Sequence, residues 1–162
     1  MAIDMTRRTV EASHIVIKSK KPFAAVRNAL EQSVPRLDAE VPALIAGGDT
    51  ERLRQRLEVA ADLSIFLQFD HGALLRLYGK PRKAVQYLIG NPLTASTMTR
   101  YGLAAGLYVP LRVILYETDD GGSCFEYDLP SSLLGQFGDD RITDVARSLD
   151  VKLGKALSAA AG

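Results

Sequence analysis

LRVILYETDDGGSCFEY, residues 111–127, consists of two alternating apolar runs joined by a turn, and its reading decides how the rest of the chain is arranged. Successive side chains of a strand point to opposite faces, so Leu111, Val113 and Leu115 share one side of the first run. Arg112, Ile114 and Tyr116 share the other. Asp119-Asp120-Gly121-Gly122 supplies residues that accept the positive φ angles of a tight hairpin. Residues 123–127 therefore return antiparallel to residues 111–117.

Working outward, residues 83–89 read as a strand with Val85, Tyr87 and Ile89 inward, ended by Gly90-Asn91-Pro92. Asn91 is placed to cap a short helix to about Tyr101, with Pro92 in its first turn. Residues 64–69 alternate as well, with Ile65, Leu67 and Phe69 on one firmly apolar face. A short helix or turn is expected over residues 72–78. The first strand falls over residues 9–17, its inner face carrying Val10, Ala12, His14 and Val16. A helix follows from Pro22 to about Ser33, with Phe23, Val26 and Leu30 at helical spacing, because Pro35 disfavours helical geometry at Val34. Beyond a loop containing Pro42 and Gly47-Gly48, Asp49 or Thr50 caps a second helix whose stripe is Leu53, Leu57, Ala60 and Ala61. Its arginines read as a solvated surface, with Arg54 and Glu58 at i, i+4 spacing. A long last helix begins after Asp139 or Asp140 and carries Ile142, Val145, Leu149, Leu153 and Leu157. The order predicts an α+β fold: an antiparallel sheet of about five strands in β-α-β(4)-α order with helices on one face, plus an extra helix before the second strand.

The chain has 162 residues, 47% hydrophobic and 24% charged, enough for one domain with its own core, so residues 1–162 are read as a single domain. Its 20 basic and 19 acidic residues leave a net charge of +1, which provides no field to gather nucleic acid. The single cysteine, Cys124, excludes an internal disulfide and any multi-cysteine metal site, and its strand position suits inert packing. Residues 102–116 form the longest apolar run, but Pro110 and Arg112 interrupt it and it is too short to span a bilayer. The N-terminal residues lack the apolar segment of a secretion signal. A cytoplasmic protein without a membrane partner is expected.

Asp70-His71-Gly72, Gly90-Asn91-Pro92, the run from Pro110 to Glu117, and Tyr127 with Pro130 together resemble the bacterial and archaeal family called domain of unknown function 302. The resemblance is close over residues 66–137 and looser toward both ends. It implies a TATA-binding-protein-like fold and a tendency to form homodimers, and it implies no reaction. Ile89 stands where the family often has an aromatic residue, and Tyr127-Asp128-Leu129-Pro130 replaces a more usual Tyr-Asn-Asp-Pro. Residues 35–62 are longer than in the family, which marks the second helix as an insertion.

Asp70 and His71 do not make a ready proton relay, since neighbours in a strand or helix point apart. His71 is suited to general acid-base work or metal ligation if a distant carboxylate holds it, with Asp70 or Asp128 as candidates, and equally to a structural role in the turn. His14 is read as a satisfied core residue. A metal site would need the two histidines to converge with a carboxylate. No catalytic elbow, phosphate loop or zinc helix is present, so no catalytic residue, metal or cofactor is assigned. One sheet face, with Ile15, Ile17, Phe66, Leu88, Ile114 and Tyr116 among Glu11, Gln68, Gln86, Arg112 and Glu126, is too apolar for a merely solvated surface. It fits a homodimer interface or a bound small molecule, and its mixed charge argues against DNA. The candidate ligand-binding residues are His71, Asn91, Arg112, Tyr116 and Tyr127, at a pocket on or beside the sheet. The alternatives are an enzyme using His71 and a structural oligomer without a ligand.

Overall fold

A computed structural model describes residues 3–162. The strands β1 (His14–Ser19), β2 (Ser64–Asp70), β3 (Ala84–Gly90), β4 (Leu111–Glu117) and β5 (Ser123–Asp128) form one antiparallel sheet in the order β1-β5-β4-β3-β2. The helices are α1 (Phe23–Ser33), α2 (Glu40–Gly47), α3 (Thr50–Glu58), α4 (His71–Leu74), α5 (Pro92–Thr99), α6 (Pro130–Leu134) and α7 (Asp140–Ala161). The α+β class and the element order are those expected.

The core lies between one sheet face and the pair α1 and α7. Phe23, Val26 and Leu30 recur at helical spacing on α1, and Ile142, Ala146, Leu149, Leu153 and Leu157 do so on α7. They close over Val85, Tyr87, Ile89, Val113, Leu115 and Phe125. One end of each of these helices follows a sequence rule. Val34, before Pro35, takes extended geometry and ends α1, while the Asp139 carboxylate accepts from the Arg141 amide at 2.9 Å to start α7.

Three expectations need correction. First, β1 begins at His14, so Ile15 and Ile17 pack against the core while His14 and Val16 point to the open face. Edge strands with two half-apolar faces specify phase weakly, and the alternation Val10, Ala12, His14, Val16 was the misleading one. Second, a bulge between Ile65 and Leu67 admits Phe66 as an extra residue. Ile65 stays in the core, whereas Leu67 and Phe69 are 53% and 46% exposed on the open face and Gln68 turns inward opposite Tyr87. Third, the segment around Pro42 is the helix α2. Pro42 lies in the first turn, where a missing amide hydrogen is no loss, and Asp38 accepts from the Glu40 amide at 2.9 Å. Gly48, at φ 73°, ends it. The arginines of α3 tie it to α2: Arg52 and Arg56 reach Glu40 at 3.0 and 2.9 Å, and Arg56 reaches Asp38 at 3.2 Å.

Among the described residues no helix is long and apolar enough to cross a membrane.

Candidate functional site

An open cavity of about 700 Å³ lies where α1 passes α4 and the adjoining ends of β3 and β4. Helical spacing puts Arg27 and Glu31 on the same face of α1, over the inward phenol of Tyr87. Glu31 Oε1 accepts from Arg27 Nε at 2.8 Å, from Tyr87 Oη at 2.9 Å and from Gln68 Nε2 at 2.8 Å. Arg36 donates to the other end of the Gln68 amide at 2.6 Å. The bulge at Phe66 is what makes this cluster, because without the extra residue Gln68 would face the opposite side of the sheet. Partial burial pushes the Glu31 carboxyl up, but the donors from Arg27, Tyr87 and Gln68 outweigh it and hold the group below the usual carboxylate range. Burial and the Glu31 carboxylate push the Tyr87 phenol well above its ordinary value, so it stays a hydrogen-bond donor.

The opposite wall is built by the Asp70-His71-Gly72 motif. The Asp70 carboxylate accepts from the Ala73 amide at 2.8 Å and starts α4. Gly72 has no room for a side chain: a Cβ there would stand 2.1 Å from the Arg82 carbonyl oxygen and 2.7 Å from the Ala84 amide nitrogen. This close approach seats α4 against the start of β3, with Ala73 and Arg76 at the cavity. Arg82 and Lys83 complete the rim and are held by Glu117 at 3.4 and 3.6 Å.

A second polar cluster crosses the open face of the sheet. His14 Nδ1 is 2.9 Å from Asp128 Oδ1, and His14 Nε2 is 2.8 Å from Glu126 Oε2. The Tyr116 hydroxyl donates to the other Glu126 oxygen. Asp128 and Glu126 raise the imidazole above its ordinary value of 6.5. The Cys124 thiol and Glu126 push the Tyr116 phenol up, while Tyr116 and His14 hold the Glu126 carboxyl down. Val16 and Ile114 flank this chain of contacts, Leu88, Leu67 and Phe69 continue the same face across β3 and β2, and among the described residues no helix covers them.

The residues singled out from sequence occupy different places. His71 stacks edge-on against Phe69 at 4.8 Å between ring centres and lies 3.3 Å from the Gln86 amide oxygen. Asn91 caps α5, accepting from Thr94 at 3.0 Å, and donates to the Ala61 carbonyl at 3.1 Å. It stands at the far end of β3 from His71, about 20 Å away at 3.3 Å per residue. Arg112 and Tyr116 share the open face of β4, about 13 Å apart on the same measure. Tyr127 points into the core, 6% exposed, near Gly154 of α7. His14 and His71 sit at the two edges of the sheet, four strand spacings or about 19 Å apart, so they do not converge. Among the described residues no three His, Cys, Asp or Glu side chains gather as a metal-binding group.

The cavity residues Arg27, Glu31 and Arg76 were missed by sequence reasoning. One signal was available, because a tyrosine on an inward stripe needs a partner for its hydroxyl, and Glu31 at i, i+4 from Arg27 was within the same helix.

A family model described as Domain of unknown function DUF302 matches residues 49–160. The match takes in α3, which the sequence suggested was an insertion, and begins after β1 and α1. Among solved structures, one described as the crystal structure of an uncharacterized conserved protein DUF302 from Bacillus stearothermophilus is similar, with a TM-score of 0.66 and 17% identity. The alignment covers 91% of this chain and 97% of that one. No curated protein matches the chain.

Proposed function

This chain belongs to the DUF302 family, and from that premise we propose that it binds a small molecule in the cavity between α1 and α4. The observation that carries the reading is the cavity itself: about 700 Å³ falls within the range of sites that hold metabolite-sized ligands, and its wall carries a Glu31 carboxylate fixed by Arg27, Tyr87 and Gln68. A thermal-shift screen of small metabolites against the wild type and Ala24→Trp tests it. Ala24 is exposed on α1 and lines the cavity, so the indole fills the space without entering the core. Compounds that stabilise the wild type are expected to lose their effect in Ala24→Trp. Equal stabilisation of both proteins by every active compound would place binding elsewhere.

A second reading concerns the open face, where Leu67, Phe69, Leu88, Ile114 and Val16 lie together with no helix over them. Such a face suits a second copy of this chain across a two-fold axis. Light scattering is expected to give twice the chain mass for the wild type and one chain mass for Leu88→Lys. A monomeric wild type at high concentration contradicts it.

A further inference from the structure

We infer that the ligand of the α1–α4 cavity is a small oxyanion, a carboxylate or phosphate, gripped by Arg27 and Arg76; this rests on the cavity being the binding site. The charges in the wall show an imbalance of commitments. Each carboxylate is already engaged by the protein: Glu31 by three donors, Asp70 by the Ala73 amide, and Glu117 by Arg82, Lys83 and the Lys83 amide at 3.0 Å. Of the four cations in the wall, Arg82 and Lys83 are held by Glu117, but Arg27 and Arg76 keep donors free. Arg27 spends only Nε on Glu31, which leaves both terminal nitrogens of a fixed guanidinium. The Arg76 guanidinium, also at the cavity, has no hydrogen-bond or ion-pair partner among the described residues.

That arrangement selects for charge and shape. A guanidinium presents paired donors that match the two oxygens of a carboxylate or phosphate, and Glu31 fixes the Arg27 plane without occupying its outer edge. Gln68 and Tyr87, bonded to Glu31, restrain it in turn. An incoming oxyanion therefore meets donors that are already oriented, and a neutral molecule of the same outline would leave them unpaired. Glu31 is a positioning residue, acting through Arg27.

Calorimetric titration of the full chain with succinate, inorganic phosphate and succinamide, the neutral diamide of succinate, tests the inference. The anions are expected to bind at least about tenfold tighter than succinamide, as charge-assisted hydrogen bonds exceed neutral ones. Arg76→Met keeps the aliphatic stem, breaks no internal contact, and is expected to weaken succinate or phosphate about tenfold. Whichever of succinate and phosphate binds tighter identifies the headgroup. Glu31→Gln is expected to weaken the anion while leaving the affinity for succinamide unchanged. Succinamide binding as tightly as succinate, with binding abolished by Ala24→Trp, would overturn the oxyanion inference and leave the cavity reading standing. No binding of succinate or phosphate also overturns the oxyanion inference, and the cavity reading is then decided by the Ala24→Trp screen alone.

Discussion

Replacing Gly72 by alanine sets two effects of opposite sign against each other. Gly72 lies in α4, and alanine in place of glycine inside a helix ordinarily gains up to about 1 kcal/mol. The added Cβ, however, would come within 2.1 Å of the Arg82 carbonyl oxygen and 2.7 Å of the Ala84 amide nitrogen. Both are backbone atoms of the segment entering β3, so no side chain can swing aside, and α4 must move off the sheet. Forcing extra volume into a packed contact costs about 1–3 kcal/mol, and backbone against backbone belongs at the upper end. The net expectation is a loss of about 2 kcal/mol, or a melting temperature lower by about 4–8 °C for a chain of this size. Thermal melts followed by far-ultraviolet circular dichroism, with urea titrations at one pH, measure it. The displaced α4 carries Ala73 and runs straight into the turn of residues 75–78 that carries Arg76, so ligand affinity is expected to fall as well. A Gly72→Ala protein as stable as the wild type, or more stable, would show that helix propensity dominates and that the close approach does not hold α4 in place.

Gly154→Ala is the counterpart in α7: its Cβ would meet only the Tyr127 hydroxyl at an ordinary 3.5 Å, so stability is expected to rise by up to about 1 kcal/mol, and a urea midpoint below the wild type's would refute this. Leu153, wholly buried on the same helix, is expected to lose about 2–5 kcal/mol on change to alanine, measured in the same titration. Tyr87→Phe removes one of three donors to Glu31 and is expected to lose about 1–2 kcal/mol while the Glu31 carboxyl titrates higher by carbon-13 NMR; an unmoved titration contradicts the assigned contact. His14 has a folded pKa raised above its ordinary 6.5 by Asp128 and Glu126, so the protonated ring stabilises fully below that value and the contribution fades as pH rises through the folded value. The gap between wild type and His14→Ala is therefore expected to be wider at pH 6 than at pH 9, and a gap independent of pH would separate His14 from the two carboxylates.

Much of the fold was legible because it rests on short-range rules. Alternation in residues 111–127, the Pro35 stop, the Asn91 cap and the apolar stripe of the last helix each placed an element where it stands. What failed was phase at strands where both faces carry apolar residues. In β1 the alternation beginning at Val10 put His14 inside, whereas pairing with β5 turns it out to Asp128 and Glu126. In β2 the bulge at Phe66 reversed the faces of everything after Ile65, and no local residue type announces a bulge. The candidate site suffered from the same reversal. Gln68 belongs to the Glu31 cluster only after it, and Arg27, Glu31 and Arg76 come from helices whose juxtaposition is a property of the whole fold. Of the Asp70-His71-Gly72 motif, position in the chain suggested chemistry, yet Asp70 and Gly72 serve to start α4 and to bring it close to β3.

Nitrogen-15 chemical-shift mapping during titration with succinate tests most directly the claim that the cavity is the binding site. The perturbed amides are expected to cluster over residues 23–31, 70–76 and 82–85 and at Glu117, which together wall the cavity. Perturbations centred on the open face around Leu88 and Ile114, or none at millimolar succinate, would contradict it.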